Sequence, residues 1–199
     1  MDYIELSLKK LEIESKILAE NIEKDYQPDL IIFIAKGGYL IGKTISEYLN
    51  VPMIGITAER GGNNFKNLFS ALLPYIPRCI CKVLRKFEIK SNYHNLHSDR
   101  KIKLLDNNFE ISKFRNILIV DDSVDTGMSM KKVINEIKLI IPHVIIKTAA
   151  INVLTNSKKI IKIDFCNHKD VIMCTPMSKD SKEYRAFIKI YEEYMNSML

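Results

Sequence analysis

The chain has little of what metal sites and disulfide frameworks are made from. It contains four cysteines and four histidines in 199 residues, and Cys79, Cys81, Cys166 and Cys174 form no CxxC pair. His94 and His97 stand closest together, but nothing joins them into a tetrahedral ligand set, so they read as polar loop residues. No stretch reaches the ~20 apolar residues a membrane-spanning helix needs, and no internal repeat or low-complexity linker divides the chain. The opening MDYIELSLKKLEIE alternates charge with aliphatics instead of presenting the apolar stretch of a signal peptide. A secreted disulfide scaffold, a solenoid and a helical membrane protein are therefore disfavoured. The expectation is a cytoplasmic protein with reduced cysteines.

What is present is a globular composition. At 47% apolar and 27% charged residues, the chain supports one domain spanning 1–199 with a substantial core. The net charge of +6 suits an anionic substrate, but it would equally give weak affinity for nucleic acid or anionic lipid, so the sign alone decides nothing. No nucleic-acid-binding module is apparent, and no nucleic-acid partner is expected.

Apolar spacing at Ile4, Leu8, Leu11, Ile17, Leu18 and Ile22 predicts a first amphipathic helix that ends before Gln27-Pro28. Strands are predicted over 30–35 and 51–56, with a helix between them through Leu40, Ile41, Ile45 and Leu49. That order argues for a right-handed parallel crossover. A long irregular region runs over 57–114, containing a short strand at 101–105. A central strand and helix occupy 116–141, strands follow at 143–153 and 170–174, and a last amphipathic helix covers 177–198. The predicted architecture is α/β: a doubly wound, mainly parallel twisted sheet flanked by helices.

Residues 117–130 read ILIVDDSVDTGMSM. The aliphatic run ending at Val120 suits a strand buried on both faces, and the chain turns polar at the strand's carboxyl end, where open α/β sheets bind ligands. Thr126, Gly127, Met128 and Ser129 then open a helix, whose backbone N–H groups and dipole can hold a phosphate. Asp121 and Asp122 accept hydrogen bonds and donate none, which suits vicinal sugar hydroxyls rather than phosphate. A hydroxyl site beside a phosphate site is one sugar phosphate long. The competing reading, an ordinary acidic turn, explains the composition but not this order of parts.

At these residues the chain resembles the type I phosphoribosyltransferases, which use 5-phosphoribosyl-1-pyrophosphate (PRPP). The DDSVDTG form is closest in style to the hypoxanthine-guanine and xanthine enzymes. The resemblance implies Mg²⁺ as cofactor, with Asp121 and Asp122 at the ribose and metal. It implies a 5′-phosphate loop at Asp125, Thr126, Gly127, Met128 and Ser129, with Asp125 also taking or relaying the acceptor's proton. The proximity of Asp121 and Asp122 is expected to raise the Asp125 pKa. IAKGGYLIGKTI, beginning at Ile34, is similar to the pyrophosphate loop of those enzymes and implies a non-proline cis peptide at Ala35-Lys36, with Lys36 and Gly37 on pyrophosphate.

Residues 87–105 parallel the family's mobile hood, with Ser91 and Tyr93 as the matching pair, giving an insert and hood over 57–114. Closure there would keep water from a hydrolysable anomeric carbon. The acceptor-side segment, 154–199, offers Lys162 as base reader, Phe165 as base-stacking ring, Asp180 as the acidic group and Arg185 on pyrophosphate. Family members are commonly dimers or tetramers, so a homo-oligomer is expected. Residues 63–86 add a basic, apolar stretch where nucleobase enzymes have a shorter connection, suited to an anionic membrane surface, an extended acceptor or a subunit interface. The leading expectation is phosphoribosyl transfer to a 6-oxopurine in salvage. The alternatives are transfer to a sugar hydroxyl of a lipid-linked or cell-surface glycan, as in polysaccharide biosynthesis, and a non-catalytic PRPP-sensing regulator.

Overall fold

The computed structural model describes residues 2–60, 100–106 and 108–197. In chain order the elements are β1 (Tyr3–Glu5), α1 (Leu8–Asp25), β2 (Leu30–Ala35), α2 (Tyr39–Leu49), β3 (Met53–Arg60), β4 (Arg100–Leu104), β5 (Asn116–Val124), α3 (Met128–Ile140), β6 (Ile145–Val153), β7 (Phe165–Lys169), β8 (Ile172–Cys174) and α4 (Tyr184–Asn196). The main sheet has the order β4-β3-β2-β5-β6-β7. All its neighbours are parallel except β3 and β4. A separate parallel pair joins β1 to β8.

Strands β2 and β5 lie in the middle of the sheet, which is why their aliphatic runs show no polar alternation: Leu30 to Phe33 and Ile117 to Val120 are fully buried. Side-chain alternation then sorts them onto two faces. Ile31, Leu118, Val120, Ala149 and Ile151 pack on the face covered by α1 and α2. Ile32, Ile119 and Ala150 pack on the face covered by α3 through Met130, Val133 and Ile137. A third cluster joins Phe33 and Tyr39 to Phe187 and Tyr191 of α4. Among the described residues no helix is long and apolar enough to cross a membrane.

The predicted fold class stands, and several boundaries move. The first helix starts at Leu8, capped by the Ser7 side chain accepting from Lys10 N at 3.2 Å. The preceding Tyr3–Glu5 is a strand because Ile172–Cys174 is there to pair with it. Strand β3 continues to Arg60, and β4, close to the short strand expected at 101–105, pairs antiparallel with it, so the first residues of the region expected to be irregular belong to the sheet. Strand β5 passes through both carboxylates to Val124, because β6 goes on pairing with it: Asp121 faces Ala150 and Ser123 faces Asn152. FCNHK, over which no strand was expected, is the edge strand β7. The last helix begins at Tyr184, not at 177, since 175–178 is taken up by a turn closed by Ser178 N donating to Thr175 O at 2.9 Å.

Candidate active site

The carboxyl ends of β2 and β5 meet at one sheet edge and carry two loops. The first follows β2. Its Ala35-Lys36 peptide is cis, as the resemblance implied, and the chain then runs directly over the acid pair. A Cβ on Gly37 would lie 2.5 Å from Asp122 Oδ1 and 3.1 Å from Asp121 Oδ1. One on Gly38 would lie 2.4 Å from the Val120 carbonyl oxygen. Glycine at these two positions is a requirement of close approach. Lys36 is exposed, and its ammonium lies over the Tyr191 ring of α4, 5.4 Å from the centroid.

The second loop follows β5. Asp121, Ser123, Asp125, Thr126, Gly127 and Ser129 line a shallow recess of about 60 Å³ at the start of α3. Gly127 has φ +77° and sits against Ile161, whose Cγ2 would be 2.4 Å from a Cβ there, so both backbone and space call for glycine. Helix α3 begins at this recess, and since the first-turn N–H groups of a helix lack intrahelical partners, an anion there can be held by hydrogen bonds and the helix dipole.

Asp121 and Asp122 retain some accessible surface yet are surrounded by protein. Burial first, and then the Asp122 charge, push the Asp121 carboxyl well above the usual carboxylate range. Burial also raises Asp122, opposed by hydrogen bonds from Thr175 and Ser123 N. Asp121 Oδ1 accepts from Asp122 N at 2.9 Å, Asp122 Oδ1 from Ser123 N at 2.8 Å, and Asp122 Oδ2 from Thr175 Oγ1 at 3.0 Å. The rim residue Asp125 is exposed and accepts from Ser123 Oγ at 3.3 Å. Ser123 Oγ in turn accepts from the buried Asn152 Nδ2 at 3.3 Å.

The structure thus brings together Lys36, Gly37, Asp121, Asp122 and 125–129. Arg185 is exposed in the first turn of α4, the helix that supports Lys36. Asp180 lies in the segment between β8 and α4. Lys162 is exposed and follows Ile161, the residue against Gly127. Phe165 departs from expectation: it pairs in register with Ala149, itself level with Val120, and packs into the core beneath α1 and α2. Its ring is partly buried and rests against that core cluster. Ser91, Tyr93 and the 63–86 stretch lie outside the described residues. Sequence reasoning missed Thr175, Ser178 and Asn152, none of which belongs to a local pattern, and it read Tyr191 only as part of the last amphipathic helix.

An acidic pair beside a helix-opening anion recess at the carboxyl edge of a parallel sheet defines a sugar-phosphate-binding α/β enzyme. The family profile described as a phosphoribosyl transferase domain matches residues 6–169, and the chain belongs to that family: it is a phosphoribosyltransferase, and PRPP is the substrate its family shares. Solved structures share the fold. A purine phosphoribosyltransferase from Pyrococcus horikoshii superposes with a TM-score of 0.62 at 21% identity, covering 88% of this chain and 94% of that one. The Helicobacter pylori xanthine-guanine-hypoxanthine enzyme gives 0.63 at 17%, covering 92% and 99%. A Neisseria gonorrhoeae protein solved with bound ppGpp gives 0.58 at 17%, covering 96% and 97%. Comparison with curated protein sequences gives no match.

Proposed function

We propose that this chain moves the 5-phosphoribosyl group from PRPP to a 6-oxopurine base, in purine salvage, with Mg²⁺ as cofactor. The observation that carries the reading is the seating of Gly37 against Asp121 and Asp122 beside the α3 recess. Pyrophosphate, ribose and 5′-phosphate sites then follow one another along a single sheet edge, in the order of the groups in PRPP. Residues 125–129 hold the 5′-phosphate, with Thr126, Gly127, Met128 and Ser129 supplying helix N-terminal donors. Asp121 and Asp122 accept from the ribose hydroxyls, and Lys36, Gly37 and Arg185 face pyrophosphate. Ser91 and Tyr93 are assigned to the hood, and Lys162 and Asp180 to the acceptor side.

Two half-buried carboxylates with raised pKa fit a divalent cation, because a hard positive charge relieves both their desolvation and their mutual repulsion. Among the described residues no cluster of three or more such ligands exists, so Asp121 and Asp122 would hold Mg²⁺ jointly with PRPP oxygens, where it supplies charge neutralisation for the leaving pyrophosphate. In the transfer, the bond from the anomeric carbon to pyrophosphate breaks and a bond to the acceptor nitrogen forms. The negative charge of the acid pair favours the cationic ribose between these events. The acceptor's proton passes to Asp125, which stands exposed on the rim. Asp125→Asn, which leaves the backbone donors of the loop in place, is expected to retain PRPP binding and to turn over about 10²-fold more slowly. An unchanged rate would remove Asp125 from this role.

A second reading keeps PRPP and replaces the base by a sugar hydroxyl of a lipid-linked or cell-surface glycan. It is favoured by the packing of the partly buried Phe165 against the core cluster beneath α1 and α2, which turns the nominated base-stacking ring toward the core. The two readings separate when purified protein is given PRPP and Mg²⁺ with a panel of purine bases and glycan acceptors while pyrophosphate release is followed. Turnover with hypoxanthine, guanine or xanthine supports the first. Turnover with glycan acceptors alone supports the second.

A further inference from the structure

Strand β8 ends at Cys174, and the next residue turns its hydroxyl back onto the acid pair. Thr175 is 1% exposed and donates through Oγ1 to Asp122 Oδ2 at 3.0 Å, a contact across 53 residues of sequence. A threonine with no task outside its own segment satisfies its hydroxyl on a nearby carbonyl. Here the hydroxyl is spent on a carboxylate of the central strand. Since the other Asp122 oxygen accepts from Ser123 N, each oxygen has a fixed donor, and the carboxylate plane is set.

Ser178 extends the arrangement. Its Oγ accepts from Thr175 N at 3.3 Å and lies 3.3 Å from Thr175 Oγ1. An ionised carboxylate can only accept, so the single hydroxyl proton of Thr175 is committed to Asp122, and Ser178 supplies the proton of the hydroxyl–hydroxyl contact. The result is a directed chain from Ser178 through Thr175 to Asp122.

We propose that Thr175 is a positioning residue for PRPP, holding the Asp122 carboxylate in the orientation that receives the ribose hydroxyls, with Ser178 orienting Thr175. The inference rests on the reading of Asp121 and Asp122 as the ribose site. Like charge on Asp121 and close contact with Gly37 both push Asp122 out of place, and a buried neutral donor opposes them without competing for the cation. The segment that carries Thr175 continues to Asp180 and Arg185, so donor-site geometry is tied to the stretch assigned to the acceptor and pyrophosphate.

The test compares wild type with Thr175→Val, which keeps the shape and removes the hydroxyl, and Thr175→Ser, which keeps the hydroxyl. PRPP binding, KM, kcat and thermal melting are measured for each. The valine variant is expected to raise the PRPP KM about tenfold with kcat little changed, as for loss of a hydrogen bond to a charged group. Serine is expected to restore most of the affinity. In an Asp122→Asn background the valine substitution should add little further loss. Ser178→Ala, which leaves β8 intact, should shift KM in the same direction by less, and it carries the test if the valine variant does not fold. Equal weakening by valine and serine, or wild-type affinity in the valine or Ser178→Ala variant, overturns the proposal alone. A wild-type protein that binds no PRPP overturns the ribose-site reading and this inference with it.

Discussion

Asp121→Asn is expected to melt at a higher temperature than the wild type at neutral pH in the absence of ligand, and to turn over PRPP about 10³-fold more slowly. The stability half follows from the raised pKa. Burial and the neighbouring Asp122 charge make the ionised form of Asp121 costly in the folded protein, whereas in the unfolded chain it titrates in the ordinary range. Between the two pKa values the folded state binds more protons than the unfolded one, so stability falls as pH rises through that window and stays reduced above it. Asparagine has no proton to lose, and its Oδ1 can still accept from Asp122 N, as Asp121 does at 2.9 Å.

The melting-temperature gap between variant and wild type should therefore close near about pH 4 and widen toward neutrality. For a chain of this length each kcal/mol corresponds to about 2–4 °C. Addition of PRPP with Mg²⁺ should reverse the order, because the wild type gains ligand stabilisation that the variant lacks. Calorimetric melting across that pH range, with and without PRPP, reads all of this. Identical curves for the two unliganded proteins would mean that Asp121 carries no strained charge.

The β5–α3 unit was legible in the sequence because its signals are local: buried aliphatics, then acceptor-only side chains, then a Thr-Gly helix start. Its neighbour after β2 was legible only with its family resemblance, since a Lys-Gly-Gly turn by itself specifies no partner. That Gly37 touches Asp122 depends on β2 and β5 being adjacent in the sheet, with Phe33 level with Val120, and nothing within the loop encodes it.

The misreadings share that cause. β1 and β8 are three-residue strands from opposite ends of the chain, too short for a period and stabilised only by each other. No strand was expected over Asn167 and His168. In fact Asn167 Nδ2 donates to Glu14 Oε2 at 2.7 Å, and His168 Nε2 lies 3.1 Å from the same carboxylate oxygen, so the polarity of this edge strand is used to fasten α1. Glu183 accepts from Leu8 N at the start of α1, another bond across the fold. Phe165 was nominated for its chemistry, and the parity of β7 decided its face. Polar residues that bind across the fold carry no sequence signature of their own, and Thr175 is the case with the largest consequence.

Gly37→Ala and Gly38→Ala, adjacent and chemically identical changes, are expected to fail in different ways. At Gly38 the backbone is ordinary right-handed helical, φ −73°, so conformation does not demand glycine. Space does: the added methyl would sit 2.4 Å from Val120 O and 3.1 Å from Ile34 N, main-chain atoms of the two central strands. Neither can retreat without parting β2 from β5. Overpacking of this kind costs about 1–3 kcal/mol even where side chains can adjust, so the loss here should lie at or beyond the upper end, with a melting temperature lower by about 6 °C or more. At Gly37 the methyl meets only carboxylate atoms: Asp121 Oδ1 at 3.1 Å and, more closely, the Asp122 carboxylate, at 2.5 Å from Oδ1 and 2.9 Å from Cγ. That side chain can rotate, but rotation breaks its contacts with Ser123 N and Thr175. Gly37→Ala should therefore melt near the wild type and bind PRPP at least about tenfold more weakly. Melting curves and PRPP titrations on the two variants separate a glycine required by the sheet from one required by the ligand. A Gly37 variant that binds PRPP normally would show that the loop does not press on the acid pair, and the ordering of pyrophosphate, ribose and phosphate along this edge would lose its first member.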